Sequence, residues 1–265
     1  MEIIGYFLSA LVGISLGLIG GGGSILMVPI LVYVFSVNPV MATSYSLFVV
    51  GSTSLVGAFN NYRKGLVSIK TALLFGLSSI TTVFVTRKLI IPVIPEILFS
   101  IGSFQVKQAM AIMVLFAILM LMASTAMIKG RKEIVNIDSA TSSADTIKLL
   151  LYGVLVGLAT GFLGAGGGFL IIPALVLILK MPMKKAVGTS LLIIALNSLI
   201  GFTGDIGHID INWTFLAVLT GIAVTGIFIG GAIAKKIAGE KLKKGFGWFI
   251  LVMGIYIIAR ELFFK

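Results

Sequence analysis

The chain has no cysteine, one histidine and nine acidic residues. Without cysteine there can be no disulfide, iron–sulfur cluster or thiolate metal site. One histidine and a few acids, mostly in loops, do not make a histidine-rich metal cage, so no metal or other cofactor is expected. Charge of either sign is scarce. Only 11% of the 265 residues are charged, against roughly 25% in soluble domains. Hydrophobic residues make up 58%, and mean hydropathy is +1.17. Such a chain cannot cover a water-facing surface, and its composition is that of an integral membrane protein. Its apolar runs have helical length, not the ~10-residue alternation of an outer-membrane barrel. The net charge of +11 does not point to nucleic acid. The basic residues lie in short loops between apolar runs, where they hold loops in the cytoplasm, and no aromatic-basic module is visible. The N-terminus carries Glu2 and no basic region, unlike a cleavable signal peptide.

What the chain does have is glycine in two concentrated runs. Residues 3–35 form an uncharged segment broken in its middle by Gly20, Gly21, Gly22, Gly23 and Ser24. One crossing needs only ~20 residues at 1.5 Å rise each, so this segment is too long for one straight span. A second broken segment, 149–179, contains Gly161, Gly164, Gly166, Gly167 and Gly168, then Pro173. After the first break the apolar segments run 41–61, to about 90, and 104–128. Residues 91–103, with Pro92, Pro95 and Glu96, read as an interfacial loop. After the second break they run 186–203, 211–234 and 245–264. Between the halves lies the one clearly polar stretch, Lys129 to Lys148, read as a solvated cytoplasmic linker. The expected domains are a first transmembrane repeat, 1–128, the linker 129–148, and a second repeat, 149–265.

An offset of 144 relates the halves. It pairs Gly17 with Gly161, Gly20 with Gly164, Gly22 with Gly166, Gly23 with Gly167 and Pro29 with Pro173. It also pairs Ala42 with Ala186, Ser46 with Ser190, Leu47 with Leu191, Ser54 with Ser198 and Gly57 with Gly201. A colinear set that includes a proline and serines indicates duplication. If each broken segment is a hairpin, each half makes three further crossings and the halves point in opposite directions. That arrangement leaves 15 basic residues inside and 5 outside, whereas eight straight spans would leave 9 inside and 11 outside. The positive-inside rule favours the first. The expected fold is an all-α membrane protein of two inverted repeats, each a glycine-broken helical hairpin plus three transmembrane helices, with both termini outside.

A helix that starts after each glycine run has N–H groups without intrahelical partners and the positive end of its dipole. Glycine lets the backbone approach a ligand and form an anion-holding nest. Ser24 stands at the expected N-cap. No Lys or Arg lies in 3–35, 41–61, 149–179 or 186–203, so an anion held there would be held by neutral dipoles. Further donors are expected from Ser46, Thr189 and Ser190, and Asn197 is a mid-helix amide that needs a partner. The candidate binding residues are therefore Gly20, Gly21, Gly22, Gly23, Ser24, Ser46, Gly164, Gly166, Gly167, Gly168, Thr189, Ser190 and Asn197.

Repeated in both halves, Gly-x-x-Gly-x-Gly-Gly followed six residues later by Pro (Gly17 to Pro29, Gly161 to Pro173) and then the Ala-to-Ser-Leu motif resembles the TauE/SafE family of sulfite exporters. The resemblance covers nearly the whole chain. It implies a prokaryotic inner-membrane carrier that exports sulfite, sulfonates or related organosulfur anions and draws on the proton gradient. The halves differ at Ser24 and Gly168, and at Thr43-Ser44-Tyr45 and Val187-Gly188-Thr189, so the site should be asymmetric. The family leaves the anion itself open.

Other readings are weaker. A phosphate loop needs a Lys absent from Gly20 to Ser24, and an intramembrane serine protease needs a histidine within the membrane. The rival is a passive anion channel, which would need a continuous polar path. Isolated glycines such as Gly153 and Gly157 are read as helix packing. Asp205, His208 and Asp210 are read as a solvated loop, Arg87 and Lys88 as outer loop charges, Arg260 and Glu261 as interfacial anchors, and Lys235 to Lys244 as a lipid-facing basic loop.

Overall fold

The structure, a computed structural model, describes residues 2–21, 23–101, 104–128, 143–177, 179, 181–234 and 239–263. Gly22, residues 129–142 of the expected linker and 235–238 of the basic loop lie outside the described residues. Helix α1, Glu2–Ile19, stops at the first glycine run, where Gly20 takes a φ of +86°. A 3-10 turn, Gly23–Leu26, then leads into α2, Met27–Tyr33. The chain has doubled back, because the rings of Tyr6 and Phe35 lie 5.4 Å apart, edge to face. Residues 3–35 are thus a hairpin with both ends at one level. In the second half α6, Ser143–Leu163, meets a break with positive φ at Gly164, Gly166 and Gly167, and α7, Gly168–Leu177, follows. Helix α6 begins inside the expected linker, taking in residues 143–148.

The remaining helices are α3, Pro39–Tyr62; α4, Ile69–Val85; α5, Gln108–Ile128; α8, Met183–Asp205; α9, Trp213–Ile233; and α10, Gly239–Phe263. Asn38 caps α3 by accepting from the Val40 N–H at 3.0 Å, with Pro39 in the first turn, a position that needs no donor. Helix α4 runs on through a π-helical turn, Thr86–Ile90, and a 3-10 turn, Ile91–Val93. The expected loop 91–103 is partly a two-stranded antiparallel hairpin, β1 Ile97–Ile101 and β2 Phe104–Lys107. Pro92 and Pro95 cannot continue a helix, and the short β-prone runs behind them pair with each other. As a result α5 starts at Gln108 and not at 104.

Among the described residues four helices, α3, α4 with its extension, α8 and α9, are each long and apolar enough to cross a membrane. In α3 and α8 67% of the apolar window is buried inside the protein, against 33% in α4 and α9, which puts α3 and α8 at the centre. Outward faces carry exposed apolar side chains such as Phe7, Leu77, Leu151 and Val252. Exposure of that kind is unfavourable in water and neutral in lipid. The chain is a multi-pass, mostly helical membrane protein.

Helix pairing is symmetric under exchange of the halves. Helix α1 lies on α9 as α6 lies on α4, while α3 pairs with α8 and α5 with α10. Small residues make the close approaches, as expected where lipid removes the hydrophobic drive between helices. Gly13 and Gly17 of α1 face Ala223 and Ile227 of α9, and Gly153, Gly157 and Gly161 of α6 face Ser78, Ser79 and Thr86 on α4 and its π-turn. Residue numbers rise together, so these pairs run parallel. In the central pair Leu47 lies by Gly201, Gly51 by Ser198 and Gly57 by Leu191, so α3 and α8 are antiparallel. A Cβ on Gly226 would overlap the backbone of Ala10, whereas one on Gly221 would meet nothing within 4 Å. Gly226→Leu should therefore lower the thermal unfolding midpoint in detergent by several degrees, and Gly221→Leu should leave it near the native value.

Candidate functional site

The two glycine breaks touch. Gly21 and Gly168 meet backbone to backbone, and a Cβ on either would overlap the other. Each break also rests on the opposite half. Gly20 lies against Val187 and Ser190 of α8, where a Cβ would come within 2.8 Å of the Val187 side chain. Gly164 lies against the backbone of Thr43 on α3. Residues 43 and 187 differ by the offset of 144, so the same contact is built twice. Gly23 and Gly167 each fold back on their own first arm, Gly23 on Val12 and Leu16, Gly167 on Val156 and Thr160. Gly166 faces Ile194, Ser198 and Val50. Positive φ at Gly20, Gly164, Gly166 and Gly167 is a conformation L side chains rarely adopt.

The expected donors have different fates. Ser24 is not an N-cap. It sits inside the 3-10 turn, its hydroxyl donates to the Gly21 carbonyl at 2.9 Å, and Leu26 precedes α2 without a side-chain cap. The hydroxyl therefore fastens the break. Thr189 accepts from the Ser68 N–H at 2.9 Å and ties the start of α8 to the turn before α4. Ser190 donates to the Val187 carbonyl at 2.8 Å, the usual back-bond of a membrane-helix serine, and stays beside Gly20. Ser46 is fully buried and without a partner. It shares a helix face with Thr43 and Val50, which touch Gly164 and Gly166. Asn197 accepts from the Ser79 hydroxyl at 2.8 Å, but its Nδ2 donates to nothing. Ser54, Ser198 and Thr160 are also buried hydroxyls without partners. The region where the breaks cross thus holds glycine backbone and unused hydroxyl donors. Gly22 lies outside the described residues.

A second polar region was read differently from the sequence. Arg87 and Asp205 are no solvated loop charges. Arg87 is 1% exposed, Asp205 is 5% exposed, and Arg87 Nη1 lies 3.1 Å from Asp205 Oδ2. The Ser44 hydroxyl donates to the same carboxylate oxygen. Three helices supply the cluster: α3, α8 and the π-helical turn that extends α4. Gly201 and Gly204 let α8 come close, with Gly201 against Val83 and Gly204 against Arg87. π-Turns often mark functional positions, and this one aims Arg87 inward. A cavity of about 330 Å³ adjoins the ion pair, lined also by Val40, Ile91, Glu96, Gln108 and His208. His208 is exposed, as the loop reading expected. The available signal was a pair of opposite charges at the ends of two apolar helices, one of them beside a Gly-x-x-Gly.

Arg260 and Glu261 are likewise not simple anchors. Glu261 is buried and accepts from the Tyr33 hydroxyl at 3.2 Å, and Arg260 stacks over the Tyr33 ring at 4.2 Å. They hold the end of α2 to α10.

Residues 6–257 match the model of the family described as sulfite exporter TauE/SafE. A "Probable membrane transporter protein" from Xylella fastidiosa is 33% identical over 255 residues, 95% of this chain and 92% of its own length. The "Probable membrane transporter protein YunE" of Bacillus subtilis is 28% identical over 267 residues, 93% of each. One from Methanocaldococcus jannaschii is 35% identical over 116 residues, 41% of this chain and 43% of its own. No solved structure matches.

Removing one member of a buried ion pair leaves an uncompensated charge, a loss of about 3–5 kcal/mol, while replacing both by apolar residues is often close to neutral. Asp205→Ala should therefore lower the unfolding midpoint markedly, and the double variant Arg87→Leu with Asp205→Leu should recover most of the loss. Differential scanning fluorimetry in detergent reads both.

Proposed function

The chain belongs to the sulfite exporter TauE/SafE family, and from that premise we propose that it is a secondary transporter of sulfite, sulfonate or related small organosulfur anions in the cytoplasmic membrane. The anion is held where the two glycine breaks cross, and transport runs by alternating access, in the export direction and coupled to the proton gradient. The observation that carries this reading is the Gly21–Gly168 contact, set among buried hydroxyls that have no partner.

The energetics suit a small anion. Burying one charge at the membrane centre costs about 2.5–3.5 kcal/mol on insertion scales. A hydrogen bond to a charged group returns about 1.5–3 kcal/mol. A few donors therefore balance the cost without a fixed cation. In this reading such bonds come from Ser46, Ser198 and the Asn197 amide, each with an unused donor, together with the N–H groups that begin α7 and the helix Gly23–Tyr33. The glycines at 20, 21, 23, 164, 166, 167 and 168 bring backbone to the ligand. Ser24, Thr189 and Ser190 shape the site through the bonds they already make.

The repeats are inverted, 1–128 and 149–265, joined by the cytoplasmic linker 129–148. Support comes from the pairing of α3 with its duplicate α8, because duplicates related by an axis along the membrane normal would run parallel, and these run antiparallel. Inverted halves are the usual basis of alternating access. The backbone contact between the breaks argues for a closed barrier in place of a continuous polar path, which favours the carrier over the channel.

Radiolabelled sulfite or methanesulfonate should enter proteoliposomes saturably and faster when a pH gradient is imposed. Gly166→Leu should abolish that flux with membrane insertion intact. The carrier reading fails if no small anion shows saturable flux, and unitary currents would establish the channel. Orientation has its own test, since the native chain has no cysteine and both Lys184 and Asp210 are exposed. A cysteine in place of Asp210 should label with an impermeant maleimide from outside and one in place of Lys184 from inside. The reverse pattern would refute the assignment.

A further inference from the structure

We propose that Arg87 is a second anion-binding residue, the fixed cation of an oxoanion site in the cavity at one end of the α3–α8 pair, and that Asp205 occupies it as an internal competitor. The site rests on the anion-carrier reading only for the choice of probe.

Arg87 uses one of its three guanidinium nitrogens. Nη1 meets Asp205, while Nε and Nη2 are buried and donate to nothing. Leaving charged donors unsatisfied in dry surroundings is expensive. A guanidinium is a planar fork that suits two oxygens of a carboxylate, sulfonate or phosphate at once, and Asp205 supplies only one oxygen to it. The cavity of about 330 Å³ beside the pair is large enough for a small oxoanion, and it offers further donors from Gln108 and His208. Two oxygens of the entering anion take Nη1 and, after a rotation of the guanidinium, Nη2. Asp205 keeps its hydrogen bond from Ser44, so its carboxylate is not stranded by the exchange. Glu96 is the other acid that lines the cavity, and it sits at the exposed hairpin side.

The duplication shows that this cluster is no by-product of the fold. Subtracting or adding 144 converts Asp205 to Asn61, Ser44 to Gly188 and Arg87 to Gly231. Gly188 lies against Asn61 just as Ser44 lies against Asp205, so the backbone arrangement is kept at the other end. None of these three equivalent positions is charged. One mouth of the central helix pair carries a buried ion pair, and the positions that correspond to it at the other do not.

The test is binding of methanesulfonate, and separately of acetate, to the purified full chain in detergent, by calorimetry at matched ionic strength. Native protein is a neutral ion pair that becomes anionic on binding. Asp205→Asn removes the competitor and leaves the cation, so it should bind more tightly, while Arg87→Lys keeps the charge and loses the fork, so it should bind more weakly. Each change should be about tenfold or more, the scale of one charge-assisted hydrogen bond. Val40→Trp, which fills the cavity from its wall, should abolish binding and keeps the proposal testable if Arg87→Lys does not fold. Equal affinity across native protein, Asp205→Asn and Val40→Trp would overturn it, as would weaker binding in Asp205→Asn. Tighter binding of methanesulfonate than of acetate would mark the site as selective for sulfonates, and equal binding would leave it a general oxoanion site. Absence of binding in protein that still gives flux sinks this site alone. Arg87-dependent binding without flux upholds it and sinks the carrier reading.

Discussion

The backbone contact between Gly21 and Gly168 constrains where everything else can lie. Two helical hairpins that enter from different halves can bring their turns together only if neither turn carries a Cβ at the crossing point. Once they meet, each turn needs a second support, and each finds it on the opposite half, Gly20 at Val187 and Gly164 at Thr43. That requirement places α3 and α8 beside each other at the centre. It also places Ser190 beside Gly20 and Ser198 beside Gly166. The outer pairs, α1 with α9 and α4 with α6, then close on the same small-residue logic through Gly13, Gly226, Gly153 and Gly157. In a membrane, where apolar burial between helices gains little, close backbone approach is the main attraction left. A bulky residue at any of these crossings would push apart helices that depend on one another.

The symmetry is kept in the backbone and broken in the chemistry. Leu16 and Thr160 occupy equivalent positions behind the two breaks, one apolar and one a hydroxyl without a partner. Ser24, which fastens the first break to Gly21, has Gly168 as its counterpart, and Gly168 has no hydroxyl to do the same. The second break accordingly holds three successive or near-successive positive-φ glycines where the first break's described residues hold one. At the ends of α3 and α8 the difference is one of charge, Asp205 with Arg87 against Asn61 with Gly231.

The glycine breaks were legible because they depend on what a residue lacks, and glycine announces that wherever it stands. Hydropathy and charge placed the segments within a few residues, since a membrane span must be apolar for its whole length. The Arg87–Asp205 pair was not legible. Each charge stands at the end of an apolar run, and that position reads equally well as a loop facing water. Only the approach of α4 to α8 through Gly201 and Gly204 makes them partners, and periodicity along one helix does not say which helix lies beside it. The same holds for Glu261, buried by Tyr33 of a helix more than two hundred residues away in sequence. Ser24 was misassigned for a local reason: the chain re-enters helical geometry through a 3-10 turn, which moves the cap position past it to Leu26. The β-hairpin at 97–107 was missed because two short strands just after Pro92 and Pro95 do not differ from a loop by composition.

Among the described residues the buried cation is Arg87, and its place suits what the proposed carrier must avoid. A guanidinium at the glycine crossing would hold an anion by charge as well as by hydrogen bonds. Coulomb attraction grows as the local dielectric falls, so the deepest point of the membrane is where a fixed charge would trap its ligand. On the proposed reading, neutral donors there offset the cost of burying an anion and little more, which permits release. Arg87 has its charge partly spent on Asp205, so on the proposed reading it attracts an anion without keeping it. An acid partner is then necessary and not incidental, because it lowers the affinity of the mouth below that of a free guanidinium. Asn61 and Gly231, the equivalent residues, carry neither the cation nor the competitor. The two ends of the α3–α8 pair thus differ at equivalent positions, a buried ion pair of Arg87 and Asp205 at one and Gly231 and Asn61 at the other.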